Sequence, residues 1–256
     1  LSTDFAYQYQ SARVHINLNA YYNAINNVTE WQNFYFDDIN SFSYVSITGG
    51  KKAYYGVEAA LKYKVNSTFD IKLLGTVSEA KNTNDANVNY LNSTQGVYNE
   101  DKLLNKDMRE SGTPLTAASA ILSYHKKGWF IDLAGNYYDR IYLGYSPYYR
   151  YKSVGEKRGN VDSNGNVLRL AQEKGKGGFM LDASIGKSIY LKKGSLSINL
   201  MLTNVLNNQN IVTGGYEQSR SDFTASGNAR AYKFSRNPKK YYAYGTNGML
   251  NITYKF

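Results

Sequence analysis

The chain has 256 residues, of which 42% are hydrophobic, 20% are charged and 26 are tyrosine. It contains no cysteine, which excludes a disulfide scaffold, a thiol nucleophile and a cysteine-ligated metal centre. A mean hydropathy of −0.53 and the lack of a long apolar run exclude a helical membrane protein, although both are compatible with a transmembrane barrel. The net charge of +10 comes from scattered residues, so a nucleic-acid partner is not expected.

Period-two alternation of apolar and polar residues runs through most of the sequence. In residues 14–23, Val, Ile, Leu, Ala and Tyr alternate with His, Asn, Asn, Tyr and Asn, which gives one strand an apolar face and a polar face. No long stretch keeps a helical period. The alternation predicts nine strands in chain order, at about 2–10, 13–36, 40–65, 69–83, 113–125, 129–145, 177–191, 195–212 and 241–256.

The connections between these strands alternate in length. Short ones are predicted at 11–12, 66–68, 126–128 and 192–194, and long ones rich in Asn, Gly, Ser and Tyr at 80–112, 145–176 and 213–240. Short turns at one end of a sheet and long loops at the other are typical of outer-membrane barrels. The predicted fold class is therefore all-β, an antiparallel transmembrane β-barrel segment.

A soluble β-sandwich also alternates, and it is the main alternative fold. The solvent face of a sandwich should carry many Lys, Glu and Thr residues, whereas the polar positions here are mostly Asn, Ser, Gly and Tyr. The strand predicted at 13–36 also exceeds the usual length of soluble strands, about 5–10 residues. Nine antiparallel strands cannot close a barrel, so the count leaves a small barrel of about eight or ten strands or the terminal section of a larger one.

Several motifs resemble those of TonB-dependent outer-membrane receptors. Residues 197–210, which contain Asn-Val-Leu-Asn at 204–207, are similar to the penultimate barrel strand of that family. Residues 49–58 with their Gly-Val-Glu end, residues 112–114 and the aromatic-ended residues 249–256 resemble two of its strand entries and its last strand. The composition, rich in Tyr and Asn, resembles that of receptors from Bacteroidetes.

This resemblance implies that residues 1–256 form the last nine or so strands of a barrel of about 22 strands in the bacterial outer membrane, with the plug domain and the N-terminal strands outside the chain. It implies a receptor that imports a solute using inner-membrane energy, without enzymatic activity and without a cofactor. The expected partners are outer-membrane lipid and lipopolysaccharide, the remainder of the receptor, a TonB-type energising protein that acts through the missing N-terminal part, and a surface lipoprotein.

Catalytic and metal-binding chemistry has few residues available. The two histidines, His15 and His125, lie far apart in sequence, and there is no cysteine to join them in a metal site or a nucleophilic triad. We therefore expect neither an enzyme nor a metal centre.

Residues 142–151 are rich in tyrosine, whose rings offer stacking faces and hydroxyls suited to sugars or peptides at a loop mouth. An ordinary surface loop is the alternative interpretation. In the family, solute contacts come from loops, barrel wall and plug together. The resemblance thus implies the loop candidates Tyr145, Tyr148, Tyr149, Arg150 and Arg158 and the wall candidates His15, Asn17, Glu58, Asp132 and Asn136.

Two other functions stay open at this point. One is that of a small plug-less outer-membrane barrel similar to an adhesin or a porin, and the other is that of a secreted glycan-binding β-sandwich. For the receptor itself, siderophores, cobalamin, oligosaccharides and peptides are all compatible solutes.

Overall fold

The computed structural model describes residues 1–36, 41–92, 97–216 and 238–256. Its strands are β1 (Ser2–Gln10), β2 (Val14–Phe36), β3 (Ser41–Lys64), β4 (Phe69–Asn82), β5 (Ala86–Asn92), β6 (Val97–Leu103), β7 (Pro114–Lys126), β8 (Trp129–Ile141), β9 (Gly178–Leu191), β10 (Gly194–Thr203), β11 (Val212–Tyr216), β12 (Pro238–Tyr242) and β13 (Asn247–Lys255). A 3₁₀ turn at Tyr148–Arg150 precedes the short helix α1 (Lys152–Lys157). Within the described ranges, no helix is long and apolar enough to cross a membrane.

One antiparallel sheet forms most of the molecule. Its main path runs β1-β2-β3-β4-β7-β8-β9-β10-β13, and these are the nine strands that the alternation predicts. The β5–β6 hairpin joins the same sheet through β3, and β11 and β12 form a separate pair. Both hairpins arise in stretches predicted as loops, because a sequence window does not show which distant strand a short segment pairs with.

Connections of different length lie at opposite ends of the sheet. Short turns join β1 to β2, β3 to β4, β7 to β8 and β9 to β10, and we name this the turn end. The connections from β4 to β7, β8 to β9 and β10 to β13 are long and lie at the other end, the loop end. The predicted asymmetry is confirmed for these connections. Residues 37–40, 93–96 and 217–237 lie outside the described residues.

The two faces of the main sheet differ in polarity. One face presents large apolar side chains that stay about half exposed, among them Leu18, Val57, Leu73, Leu133 and Ile185. No second sheet covers this apolar face in the described part of the chain, so the arrangement differs from a sandwich, in which such side chains are buried between two sheets. The opposite, polar face carries Asn, Ser, Asp and Lys side chains and Glu58, together with small residues such as Ala60 and Ala117.

The hydrophobic cluster of buried side chains that the described residues form lies at the loop end. It consists of Val45, Ile47, Ala86, Val88, Leu103, Leu143, Tyr148, Tyr149, Tyr151 and Val154. These residues belong to the first part of β3, to β5 and β6, and to residues 142–158, which we name together the loop lobe. Residues 45–48 of β3 pair with residues 87–90 of β5, so the lobe is joined to the sheet by backbone hydrogen bonds.

An irregularity divides the β2–β3 hairpin into two parts. The register shifts between Ile25 and Val28 and again before Glu30. Asn27 has a φ of 56° and Gly49 a φ of 68°, which is the left-handed conformation that β-bulges use. The part of the hairpin on the turn-end side of this bulge belongs to the main sheet, and the part on its loop-end side carries the loop lobe.

Asn204 ends β10 and explains why this strand is shorter than predicted. It has a φ of 51° and is 1% exposed. Its side-chain amide donates to the carbonyl oxygens of Asn208 (3.0 Å) and Tyr244 (2.8 Å), and its Oδ1 accepts from the Asn208 N–H at 2.9 Å. Its own N–H donates to Asp182 Oδ1 at 2.8 Å. This Asn204 clasp turns the chain out of the sheet, so the predicted strand at 195–212 stops at Thr203.

Two other strands also differ from their predicted limits. The strand predicted at 129–145 ends at Ile141, directly after Arg140, whose φ of 53° interrupts the extended backbone. The strand predicted at 241–256 begins at Asn247, because Pro238–Tyr242 pairs with β11 instead of β10.

Candidate functional site

A polar cavity of about 290 Å³ lies where the loop lobe meets the sheet. Its lining includes Glu30 of β2, Lys52 of β3, Arg109 and Glu110 before β7, and Tyr145 after β8. We name it the loop-end cavity. These five side chains come from four separate segments, β4 and β6 add Asn82 and Leu103, and the bulged β2–β3 hairpin brings the first two to the level of the loops.

Ion pairs fix the positions of the charged side chains that line this cavity. The Lys52 ammonium contacts Glu30 and lies 2.8 Å from Glu110 Oε1, which also accepts a hydrogen bond from the Tyr54 hydroxyl at 3.2 Å. Beside them, Glu79 binds both Arg140 and Arg109, the latter with an Nε–Oε2 distance of 2.9 Å. The cations here are therefore neutralised by carboxylates of the same chain, and the cavity offers fixed donors and acceptors.

Tyr145 contributes a largely buried phenol to the cavity. Burial raises the pKa of this phenol because it disfavours the phenolate, and a hydrogen bond with Asn105 and the nearby Arg150 partly oppose the shift. The hydroxyl is consequently neutral at physiological pH. The Arg150 guanidinium carbon lies 4.5 Å from the centre of the Tyr145 ring, in a cation–π contact that fixes the position of the ring.

A second cavity, of about 400 Å³, lies on the polar face of the main sheet. Asn17, Glu58, Asn136 and Tyr138 surround it, and small residues such as Ala60 leave the space open. We name it the wall recess. It is a shallow pocket with amide, carboxylate and phenol groups above a mostly apolar floor.

Hydrogen bonds across strands fix the polar groups of the wall recess. Asn136 Oδ1 accepts from the Ser119 hydroxyl at 2.8 Å, and its Nδ2 donates to Asp182 Oδ2 at 2.8 Å. Glu58 Oε2 accepts from Asn19 Nδ2 at 3.4 Å. Asp182 also binds the N–H of Asn204, so the recess is linked through one carboxylate to the end of β10.

The structure brings three of the five predicted wall residues together. Asn17, Glu58 and Asn136 line the wall recess. His15 lies outside it toward the turn end, opposite Lys62 of β3. Asp132 is also outside the lining and accepts a hydrogen bond from the buried Ser123 hydroxyl at 2.5 Å.

Three of the five predicted loop residues are buried. Tyr148, Tyr149 and Arg150 are 2%, 7% and 4% exposed, and the two tyrosine rings pack edge-to-face with centroids 5.2 Å apart. The expectation that they offer stacking faces at a loop mouth is corrected, because these side chains pack within the loop lobe. The Arg150 Nη2 donates to the carbonyl oxygens of Leu170 and Ala171 at 3.3 and 2.9 Å and fastens the following loop.

The remaining loop candidates differ in position. Tyr145 lines the loop-end cavity, whereas the Arg158 guanidinium lies outside that lining, 4.7 Å from the centre of the Tyr149 ring. Sequence reasoning missed Lys52, Arg109 and Glu110. The available signal was weak: a lysine inside a long strand and an adjacent pair of opposite charges after a loop.

Comparisons with known proteins add information on the fold. No family model and no curated protein matches the sequence. Among solved structures, the chain is similar to the copper transporter OprC, with a TM-score of 0.59 and 13% identity over 99% of this chain. It is also similar to the ferric-catecholate import receptor Fiu from K12 E. coli in its closed form, with a TM-score of 0.51 and 12% identity over 99% of this chain.

The chain spans 30% of the OprC chain and 27% of the Fiu chain. At such low identity the similarity establishes the fold alone. The predicted all-β fold is confirmed: this chain has the fold of a section of the TonB-dependent receptor barrel.

Proposed function

We propose that the chain is the C-terminal section of the barrel of an outer-membrane receptor, which binds a solute outside the cell and imports it with energy from a TonB-type inner-membrane partner. The observation that carries this proposal is the polarity of the main sheet, with a half-exposed apolar face on one side and an amide- and hydroxyl-rich face on the other. Such a sheet is stable where one side meets lipid and the other meets water. The apolar face then contacts outer-membrane lipid, and the polar face lines the lumen.

The edges of the sheet support a larger barrel. Among the described residues, β1 pairs only with β2, and β13 pairs only with β10. Unpaired backbone groups are too costly to leave open within a bilayer, so both edges require partner strands. Direct closure between β1 and β13 needs an even strand number, which the nine-strand path does not provide. We therefore propose that the remainder of the receptor supplies the missing strands and the plug, rather than a small plug-less barrel.

The two cavities give the solute a path. The loop-end cavity, with Tyr145, Lys52 and Glu110, would make the first contacts. The wall recess, with Asn17 and Glu58, lies further toward the turn end and would make the next ones. Both cavities offer hydrogen-bond donors and hydrogen-bond acceptors, which suits a polar solute that carries several of each. Arg158 lies outside the cavity lining, where a guanidinium suits lipopolysaccharide phosphate or a surface lipoprotein.

Leu73 and Leu74 provide a direct test of the membrane orientation. They are adjacent in β4, each is 45% exposed, and they point to opposite faces of the sheet. In the complete receptor, Leu73→Arg places a charge in lipid at a cost of about 2–4 kcal/mol and should sharply reduce folded protein in the outer membrane. Leu74→Arg places the same charge in the lumen and should assemble normally.

Cell fractionation and the heat-modifiable mobility of folded barrels on gels measure this difference. Equal behaviour of the two variants, whether both assemble or both fail, contradicts the orientation. Import is tested separately by growth of a receptor deletion strain on scarce siderophore iron, cobalamin, oligosaccharides and peptides. Loss of growth on one of these sources is expected, and unchanged growth on all of them contradicts a receptor for these solutes.

A further inference from the structure

Two lysines flank a tryptophan on the apolar face, at the turn end of the sheet. Trp129 begins β8 and pairs in register with Lys126 of β7 on one side and with Lys187 of β9 on the other. Residues directly opposed in neighbouring strands share a face of the sheet, so these three side chains form one row across three strands. We name Lys126, Trp129 and Lys187 the turn-end row.

The turn-end row lies at the border of the apolar face. The turn between β7 and β8 is adjacent to it, and in the other direction the next residues of β8 on the same face are Ile131 and Leu133. Ile185 is the corresponding neighbour of Lys187 on β9 and is 44% exposed. An exposed apolar surface therefore begins one position away from two positive charges.

The structure fixes the Lys187 side chain in this row. Its ammonium lies 4.7 Å from the centre of the Trp129 ring and donates a hydrogen bond to the Lys127 carbonyl oxygen at 2.8 Å. The side chain thus runs over the indole toward the turn, as lysines do when their stems cover apolar surface. The Trp129 side chain remains 43% exposed, so the ammonium and the ring both stay open to a ligand.

No carboxylate neutralises the row in the part of the chain that the structure describes. None lies there within ion-pair distance of the Lys126 or Lys187 ammonium. Asp132, the nearest acidic residue of β8, is three positions from Trp129 and therefore points to the polar face. The row combines two positive charges, an indole and an adjoining apolar surface.

We propose that the turn-end row binds the phosphate group of an anionic glycerophospholipid. Strands β7 and β9 lie about 10 Å apart across β8, so the Lys126 and Lys187 side chains can converge on one phosphate beside the indole. The Trp129 ring contacts the glycerol region, where indoles are favoured between lipid and water. The acyl chains lie along Ile131 and Ile185.

Charge and position select the kind of lipid. Two ammonium groups attract a headgroup with a net negative charge, such as phosphatidylglycerol, and repel the cation of a zwitterionic headgroup. In outer-membrane barrels the short turns lie on the periplasmic side, where the leaflet consists of glycerophospholipids rather than lipopolysaccharide. The inference rests on the proposed function, because the apolar face must contact lipid. It goes beyond general contact with lipid, because a phosphate site distinguishes between headgroups.

Native mass spectrometry of the complete receptor in detergent tests the proposal. Retained dioleoylphosphatidylglycerol adds a defined mass, and a titration gives the Kd of the tightest site. Lys126→Gln/Lys187→Gln should weaken this binding by about tenfold or more, because two charge-assisted hydrogen bonds are lost. Lys126→Arg/Lys187→Arg should keep it, because guanidinium groups also bind phosphate. An unchanged Kd in the Gln variant, or an equal loss in the Arg variant, overturns the proposal.

Lys192→Gln/Lys193→Gln is the matched control. It removes the same charge from the exposed turn between β9 and β10, outside the row. The control should leave the Kd unchanged, and heat-modifiable mobility on gels shows whether each variant is folded. An equal loss of binding in both Gln variants overturns the proposal, because it reports a general attraction between lipid and positive charge.

Competition on the unaltered receptor gives a measurement that does not depend on any variant. Phosphatidylcholine should bind less tightly than phosphatidylglycerol, and inorganic phosphate alone should not displace the lipid. Equal binding of the two lipids, tighter binding of lipopolysaccharide, or displacement by inorganic phosphate overturns the proposal. The Leu73→Arg and Leu74→Arg variants report the membrane orientation separately. If they differ as expected while the receptor does not discriminate between headgroups, this inference alone fails.

Discussion

The loop lobe and the main sheet are held together in different ways. The lobe buries ten apolar or aromatic residues against one another, and its Tyr151 is fully buried. Below the bulge, large side chains on the apolar face of the sheet stay about half exposed, with Leu133 and Tyr137 each at 44%. The lobe therefore carries its own hydrophobic core, whereas the proposed function gives the sheet lipid on one side and a filled or hydrated lumen on the other.

Tyr151→Ala should give the largest separation of the two regions. It removes a fully buried ring that packs against Tyr148 with centroids 5.9 Å apart and stacks on Tyr90 at 6.1 Å, at a cost of about 3–5 kcal/mol to the lobe. Hydrogen exchange of β5, β6 and residues 142–158 should become fast while the sheet below the bulge stays protected. Tyr137→Ala is the control, since this ring lies on the apolar face. Loss of protection throughout the sheet in Tyr151→Ala would show that the lobe is not an independent unit.

Asn204→Ala should have the next largest effect, at the border between the regions. It removes three side-chain hydrogen bonds worth about 1 kcal/mol each and places a Cβ-bearing residue without local bonds at a φ of 51°. Asn204→Gly removes the same bonds without the backbone strain and should cost less. The measurement is the rate of proteolysis within residues 204–212. Asn210→Ala should match the unaltered protein, and an equal rate for all variants would contradict the clasp.

The smallest expected effect concerns the ion pair between Asp85 and Arg169, which joins two long connections at the loop end. Arg169 binds both oxygens of Asp85 at 2.6 Å, and the Lys106 N–H donates to Oδ1 at 2.9 Å. Burial alone would raise the pKa of Asp85, but these hydrogen bonds and the Arg169 charge hold it below the usual value of 3.8. Because the folded pKa is lowered, the stabilisation is present above about pH 4 and is lost as the pH falls through the folded pKa.

Arg169 is half exposed, so the link should contribute less than about 1 kcal/mol. Hydrogen exchange near Asp85, measured from pH 6 down to pH 3 and corrected for intrinsic rates, should show the loss on acidification in the unaltered protein. Asp85→Asn should abolish this pH dependence. A persistent dependence in Asp85→Asn would assign it to another carboxylate.

Sequence patterns predicted the sheet well because period-two alternation is a local property. Residues 14–23 carry their apolar and polar faces within ten positions, and the nine strands of the main path follow from such stretches. The loop lobe depends on contacts between residues far apart in the chain. Tyr148 and Tyr149 were expected at the surface because a tyrosine-rich loop has no period that would indicate burial.

The candidate site was predicted only in part for the same reason. Asn17, Glu58 and Asn136 were identified because alternation shows which residues share the polar face. Lys52, Arg109 and Glu110 meet through the bulged hairpin and a connection after β6, and neither leaves a spacing that a sequence window detects. The clasp at Asn204 shows a third case: the motif was recognised, but its role in ending β10 is visible only in three dimensions.

The paired extension of β2 and β3 has a mechanical consequence. A loop on single-stranded linkers can swing down over the entrance as a lid. The loop lobe cannot do so as a body unless the hydrogen bonds between β3 and β5 or between β2 and β3 break. Under the proposed function, the loop lobe would therefore be a fixed part of the rim past which a solute enters.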